Sequence, residues 1–172
     1  MSEVRATFLQ SLDYEPDVFQ VKAMNSIDAD ASVLVAAPTG SGKTLIAEYA
    51  IARARSLGLR AFYTTPIKAL SNQKYRDLQT LYGAHKVGLV TGDNAVNAEA
   101  PVVVMTTEVL RNMIYSQSSR LEDLGVVILD EVHYLQDAYR GPVWEEVIIQ
   151  LDPEVQLVCL SATVSNADEV GR

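Results

Sequence analysis

Six unbroken apolar runs of strand length recur along the chain, at 33–37 (VLVAA), 61–65 (AFYTT), 87–90 (VGLV), 102–106 (VVVMT), 126–130 (VVILD) and 156–161 (QLVCLS). A sheet with one wet face alternates apolar and polar residues, whereas continuous runs belong to strands covered on both faces. Helix-like stretches lie between them at 43–57 ending at Gly58, 68–81 ending near Gly83, 107–115, and 142–150 with Pro142 at its start. Glycine stops a helix and proline opens one at such positions. A further helix is expected from Val18 to Ile27, ahead of the first strand. Strand and helix thus alternate, which predicts an α/β fold: a mostly parallel sheet flanked by helices on both faces, with ligands outside the carboxyl ends of the strands. A length of 172 residues fits one domain spanning 1–172, with an N-terminal helical extension at about 1–30.

The turn after the first run reads Ala36-Ala37-Pro38-Thr39-Gly40-Ser41-Gly42-Lys43-Thr44. Gly40 and Gly42 let a backbone wrap closely around an anion with its N–H groups pointing inward, and the helix that follows adds its positive dipole end. Lys43 can reach β- and γ-phosphates and Thr44 can bind Mg²⁺, with Thr39 and Ser41 completing the cradle. The match to G-x-x-x-x-G-K-[ST] is imperfect, because Ala37 stands at the first glycine. A plain glycine-rich turn would leave Lys43 without a purpose.

Leu124-Gly125-Val126-Val127-Ile128-Leu129 is an apolar strand that ends in Asp130-Glu131. Acids after a strand are often solvated turn residues. Downstream of a phosphate-binding turn they acquire a chemical purpose, in which Asp130 orients Mg²⁺ and Glu131 positions or polarises the attacking water.

Composition bounds the remaining possibilities. With 48% apolar and 21% charged residues, and no apolar stretch near the length that crosses a bilayer, the chain reads as globular, without a membrane span. The N-terminus lacks the apolar core of a secretory signal, which leads us to expect an intracellular, cytoplasmic protein. The lone Cys159 sits in an apolar run and reads as a small buried thiol. A net charge of −8 argues against a generally basic coat for nucleic acid. The distribution is uneven, however. From Tyr49 to Arg76 the chain carries Arg53, Arg55, Arg60, Lys68, Lys74 and Arg76 and no acid. That stretch is either a solvated helix face or a locally positive surface.

Asp130-Glu131-Val132-His133 spells a DExH box, and with the phosphate-binding turn it makes the chain resemble a superfamily-two helicase. Thr65-Pro66-Ile67-Lys68-Ala69-Leu70-Ser71-Asn72-Gln73-Lys74 looks like that family's first nucleic-acid-contact motif, and Thr106-Thr107-Glu108-Val109-Leu110-Arg111 like its second. Ser161-Ala162-Thr163 matches the SAT motif, and Arg140–Ile148 resembles a segment of the superkiller and exosome-associated RNA helicase branch. The resemblance runs from Tyr14 to Arg172.

It implies the first RecA-like domain of a two-domain ATP motor. Lys43, Asp130, Glu131 and His133 would serve catalysis, and Thr44 and Asp130 would hold Mg²⁺. Gln20 is similar to the family's adenine-reading glutamine, whose amide can donate to and accept from the base. His133 either links the ATP site to the neighbouring domain or is a buried polar residue without a catalytic role. Ser161 and Thr163 would couple nucleotide state to strand movement. Nucleic acid, RNA in that branch although DNA stays open, would be held by phosphate and sugar at Thr65, Pro66, Lys68, Thr91, Gly92, Thr106, Thr107 and Glu108. The family's second RecA-like domain is not in this chain, so it is expected to bind ATP·Mg²⁺ with little hydrolysis and no unwinding. The reading from a different class is a non-catalytic, ATP-gated binding module.

Overall fold

A computed structural model describes residues 1–133 and 141–162. Two helices, α1 (Glu3–Gln10) and α2 (Val18–Asp28), precede the first strand, β1 (Val33–Ala37). There follow α3 (Lys43–Ser56), β2 (Arg60–Thr65), α4 (Lys68–Tyr82), β3 (Val87–Thr91), β4 (Asn94–Val96), β5 (Val102–Thr106), α5 (Thr107–Tyr115), β6 (Leu124–Leu129), α6 (Gly141–Gln150) and β7 (Gln156–Ala162). The strands form one sheet in the order β1-β7-β6-β2-β5-β3-β4, parallel throughout except for the β3–β4 pair. The α/β architecture anticipated from the apolar runs is therefore present.

Alternate residues of the central strands feed two separate cores. Ala61, Tyr63, Val102, Val104, Val126 and Ile128 face a cluster that takes in Met24 and Ile27 of α2 and Ile46 and Ile51 of α3. Phe62, Val103, Met105, Val127 and Leu129 face the other cluster, with Leu110 of α5 and Trp144 and Val147 of α6. Period-two alternation with apolar residues at both phases is what a continuous apolar run means physically. Full burial of a large apolar side chain contributes roughly 1.5–3 kcal/mol. Trp144 is fully buried in the second core, so packing accounts for it.

The short strand β4 has no apolar run to announce it, and all three of its residues are exposed. It exists because the chain turns back at Thr91-Gly92-Asp93 and pairs Asn94, Ala95 and Val96 with Thr91, Val90 and Leu89. Its exit crosses Gly88 so closely that a Cβ there would meet the Asn97 carbonyl oxygen at 2.1 Å, which restricts that position to glycine. No helix among the described residues is long and apolar enough to cross a membrane.

Candidate active site

Strand order decides which motifs become neighbours. At the carboxyl edge β1, β7 and β6 lie side by side, so the glycine-rich turn after β1, Ser161-Ala162 and Asp130-Glu131 share one stretch of rim. Ala37 is in register with Ala162. Next come β2, β5 and β3, which carry Thr65, Thr106 and Thr91. The rim is thus divided between a stretch with the glycine-rich turn, Lys43 and two carboxylates and a stretch with hydroxyls and helix starts.

A cleft of about 440 Å³ opens over the first stretch, lined by Thr39, Gly40, Gly42, Lys43, Thr44, Thr65, Asp130 and Glu131 together with one side of α4. The turn is built on left-handed backbone, with φ +82° at Gly40 and +89° at Gly42. The Lys43 ammonium folds back to donate to the carbonyl oxygens of Ala37 at 2.6 Å and Pro38 at 3.5 Å. The Ser41 hydroxyl is buried without a hydrogen-bond partner among the described residues.

Asp130 follows the last residue of β6. Its N–H donates to Thr64 O at 3.0 Å, its Oδ1 accepts from the Glu131 N–H at 2.8 Å, and its Oδ2 accepts from the Tyr63 hydroxyl. Glu131 takes a left-handed φ of 61°, a conformation that costs of order 1–3 kcal/mol for a non-glycine residue and is frequent at functional sites. His133 stands beside it, with Nε2 2.9 Å from Glu131 Oε2 and Nδ1 accepting from the Ala162 N–H at 3.3 Å. Ser161 lies on β7 with its hydroxyl donating to Ala162 O at 3.2 Å. Thr163 and Arg140 lie outside the described residues.

Gln20 does not line the cleft. It is 2% exposed; its Oε1 accepts from the Asp17 N–H and its Nε2 donates to Gly42 O, both at 2.8 Å. The amide therefore ties the start of α2 to the turn from behind, and an adenine edge would have to use the capacity that remains. Leu70, Gln73 and Lys74 lie in the motif read as a nucleic-acid contact, and the structure instead sets them, with Asp77, on the cleft's opposite wall on α4. Their spacing of three, four and seven residues is one helical stripe, the signal that could have shown it. Lys74 Nζ sits 5.1 Å from the centre of the Tyr63 ring. Behind it, burial pushes the Glu48 carboxyl up, with the Lys74 charge opposing.

The second stretch brings Thr65, Pro66, Lys68, Thr91, Gly92, Thr106, Thr107 and Glu108 to one edge, but not all with available side chains. Thr65, Thr91 and Thr107 are buried. Thr65 Oγ1 donates to Ile67 O at 2.9 Å and is 2.7 Å from Ser71 Oγ, and Thr107 Oγ1 donates to Thr65 O at 3.2 Å. These hydroxyls brace the rim. Thr106 caps α5 by accepting from the Val109 N–H at 3.4 Å. Lys68, Gly92 and Glu108 are exposed, and Lys68 Nζ donates to both Asp93 carboxylate oxygens at 2.9 and 2.7 Å. The first turn of α4 carries no acid and Ile67 gives it no side-chain cap, which leaves its first N–H groups without a side-chain partner among the described residues.

Comparison with known proteins places these features in a family. The sequence model of the family described as DEAD/DEAH box helicase matches residues 17–170. The chain is 52% identical over 164 residues to the DExH-box ATP-dependent RNA helicase DExH15, chloroplastic, of Arabidopsis thaliana, covering 92% of this chain and 14% of that protein. It is 53% identical over 163 residues to Superkiller complex protein 2 of Homo sapiens, covering 92% of this chain and 13% of that protein. The chain thus spans a small part of the curated relatives it matches. Among solved structures, that of Mycobacterium smegmatis helicase Lhr bound to ssDNA and AMP-PNP superposes with a TM-score of 0.74 at 32% identity, covering 99% of this chain and 26% of that one.

Proposed function

Because the chain belongs to the DEAD/DEAH box helicase family, we propose that it is the ATP-binding motor domain of a cytoplasmic, superkiller-like DExH-box RNA helicase. The observation that carries this reading is one cleft lined by both Lys43-Thr44 and Asp130-Glu131. Lys43 binds the β- and γ-phosphates, exchanging its carbonyl partners for charge-assisted bonds. The backbone of Thr39 to Gly42 lines the cradle, and Glu131 orients the attacking water and accepts its proton.

The donor set suits Mg²⁺. It offers a carboxylate from Asp130 and a hydroxyl from Thr44, all hard oxygens. Among the described residues no cluster of three acids, histidines or cysteines could hold an ion alone. Magnesium needs no such cage, since it is bound through one or two carboxylates with phosphate oxygens and water. When bound, it would supply neutralisation of phosphate charge. Hydrolysis and unwinding need a second RecA-like domain across the cleft, because a donated arginine is worth about 10³–10⁵ in related phosphoryl transfers.

RNA is supported by the resemblance to the superkiller branch. A second reading, DNA, draws on the ssDNA in the Lhr structure, and phosphate and sugar contacts alone do not separate the two.

The test uses a protein carrying both motor domains. Glu131→Gln should retain ATP binding while turnover falls by about 10²–10⁴-fold, and undiminished turnover would remove Glu131 from the reaction. Stronger stimulation of turnover by single-stranded DNA than by RNA would transfer the assignment to DNA. ATP binding without turnover in the unaltered protein would leave the ATP-gated binding module.

A further inference from the structure

Tyr63 occupies a position on β2 where a phenylalanine would satisfy packing. It is 1% exposed, within the core shared by α2 and α3. In register it lies between Val104 of β5 and Ile128 of β6. Its hydroxyl, however, emerges at the rim and donates to Asp130 Oδ2. A carboxylate offers about four lone-pair directions, and here one on each oxygen is taken, by the Tyr63 hydroxyl and by the Glu131 N–H. The two that remain have no hydrogen-bond partner among the described residues and can serve a ligand in the cleft. With both oxygens fixed, the carboxylate plane cannot rotate about its Cβ–Cγ bond.

From this geometry we infer that Tyr63 is a positioning residue for the metal-binding carboxylate: its hydroxyl holds Asp130 in the orientation that receives Mg²⁺ before nucleotide and metal arrive. The inference rests on the nucleotide reading above and deepens it.

Two features make the hydroxyl a dependable donor. The Lys74 ammonium over the ring draws electron density from the phenol. The ring is buried in the core on the α2 and α3 face of the sheet and cannot follow a wandering carboxylate. Partners that orient metal ligands in this way typically change metal affinity by about 10–100-fold when removed.

The experiment measures binding of a fluorescent ATP analogue by this chain, first in EDTA and then during titration with Mg²⁺. Tyr63→Phe keeps the ring and removes only the donor. Affinity in EDTA should match the parent, while the Mg²⁺ concentration at half-response rises about tenfold. An unchanged Mg²⁺ midpoint, or an equal loss with and without the metal, overturns the inference, the latter because it marks a general structural effect. In an Asp130→Asn background, Tyr63→Phe should add nothing to the Mg²⁺ response; an undiminished effect there also overturns it. Failure of the unaltered chain to bind the analogue at all would strike the nucleotide reading rather than the role of Tyr63.

Discussion

The imidazole of His133 joins two strand ends: Nε2 lies 2.9 Å from Glu131 Oε2, and Nδ1 accepts the Ala162 N–H at 3.3 Å. The ring places Nε2 beside the Glu131 carboxylate and Nδ1 at the strand N–H, and thereby links that carboxylate to Ala162 on β7. In a protein with both motor domains, His133→Ala should leave ATP affinity nearly unchanged and lower nucleic-acid-stimulated turnover by up to about 10²-fold, the cost of a small misplacement of a catalytic group. Steady-state turnover alongside equilibrium nucleotide binding checks this. Undiminished turnover would reduce the ring to a packing element.

Gly42 is constrained twice. Its φ is +89°, and a Cβ added there would sit 2.6 Å from Gln20 Nε2. Gly42→Ala should therefore destabilise the chain by about 1–3 kcal/mol from backbone strain and weaken nucleotide binding. Removing the obstructing amide with Gln20→Ala relieves the clash but not the strain, so the double variant should recover only part of the loss. Urea denaturation of the two single variants and the double separates the components; a Gly42→Ala chain as stable as its parent contradicts both.

The fold was legible because each central strand is buried on two faces and so writes a continuous apolar run, and because glycine and proline mark the helix ends. Strand β4 escaped for the converse reason: Asn94, Ala95 and Val96 are exposed and owe their strand to pairing alone. That the residues at the ends of β1 and β6 would share one cleft was legible as strand-end chemistry, since those residue types have few other uses together. What the sequence does not carry is direction and partnership. Thr65 and Thr107 have suitable hydroxyls, yet both are buried as braces. The amide of Gln20 is engaged by Gly42, 22 positions away. Tyr63 looked like one more strand residue, because only the approach of Asp130 gives its hydroxyl a partner.

Cys159, expected from its apolar run to be a buried thiol, is half-buried on β7. That partial burial pushes its thiol up to about 11. A folded chain thus keeps a proton that an unfolded one releases near pH ~8.5, so stability contributed at this site falls as pH rises between those values. Only the thiolate alkylates. The rate of modification by iodoacetamide in the native chain should keep climbing from about pH 9 to about 11, whereas urea-unfolded chain levels off near its ordinary pKa. A native rate that levels off with the unfolded one would mean that the strand opens to solvent.

Lys68 stands at the start of α4, where a nucleic-acid backbone would pass, but its ammonium is held by both oxygens of Asp93. The attraction is mutual: the Lys68 hydrogen bond, and next that of the Thr91 hydroxyl, hold the Asp93 carboxyl below its usual range. A phosphate must compete with that carboxylate for the cation, and the carboxylate itself repels phosphate. Asp93→Asn removes the competitor and keeps a side chain of the same size. Binding to single-stranded RNA should therefore tighten at low salt, with the slope of log affinity against log salt steeper by about one as Lys68 becomes free to displace one more counterion. The gain should vanish near molar salt. Fluorescence anisotropy with a labelled oligonucleotide over a salt series measures both quantities, and unchanged affinity and slope would take Lys68 out of the nucleic-acid path.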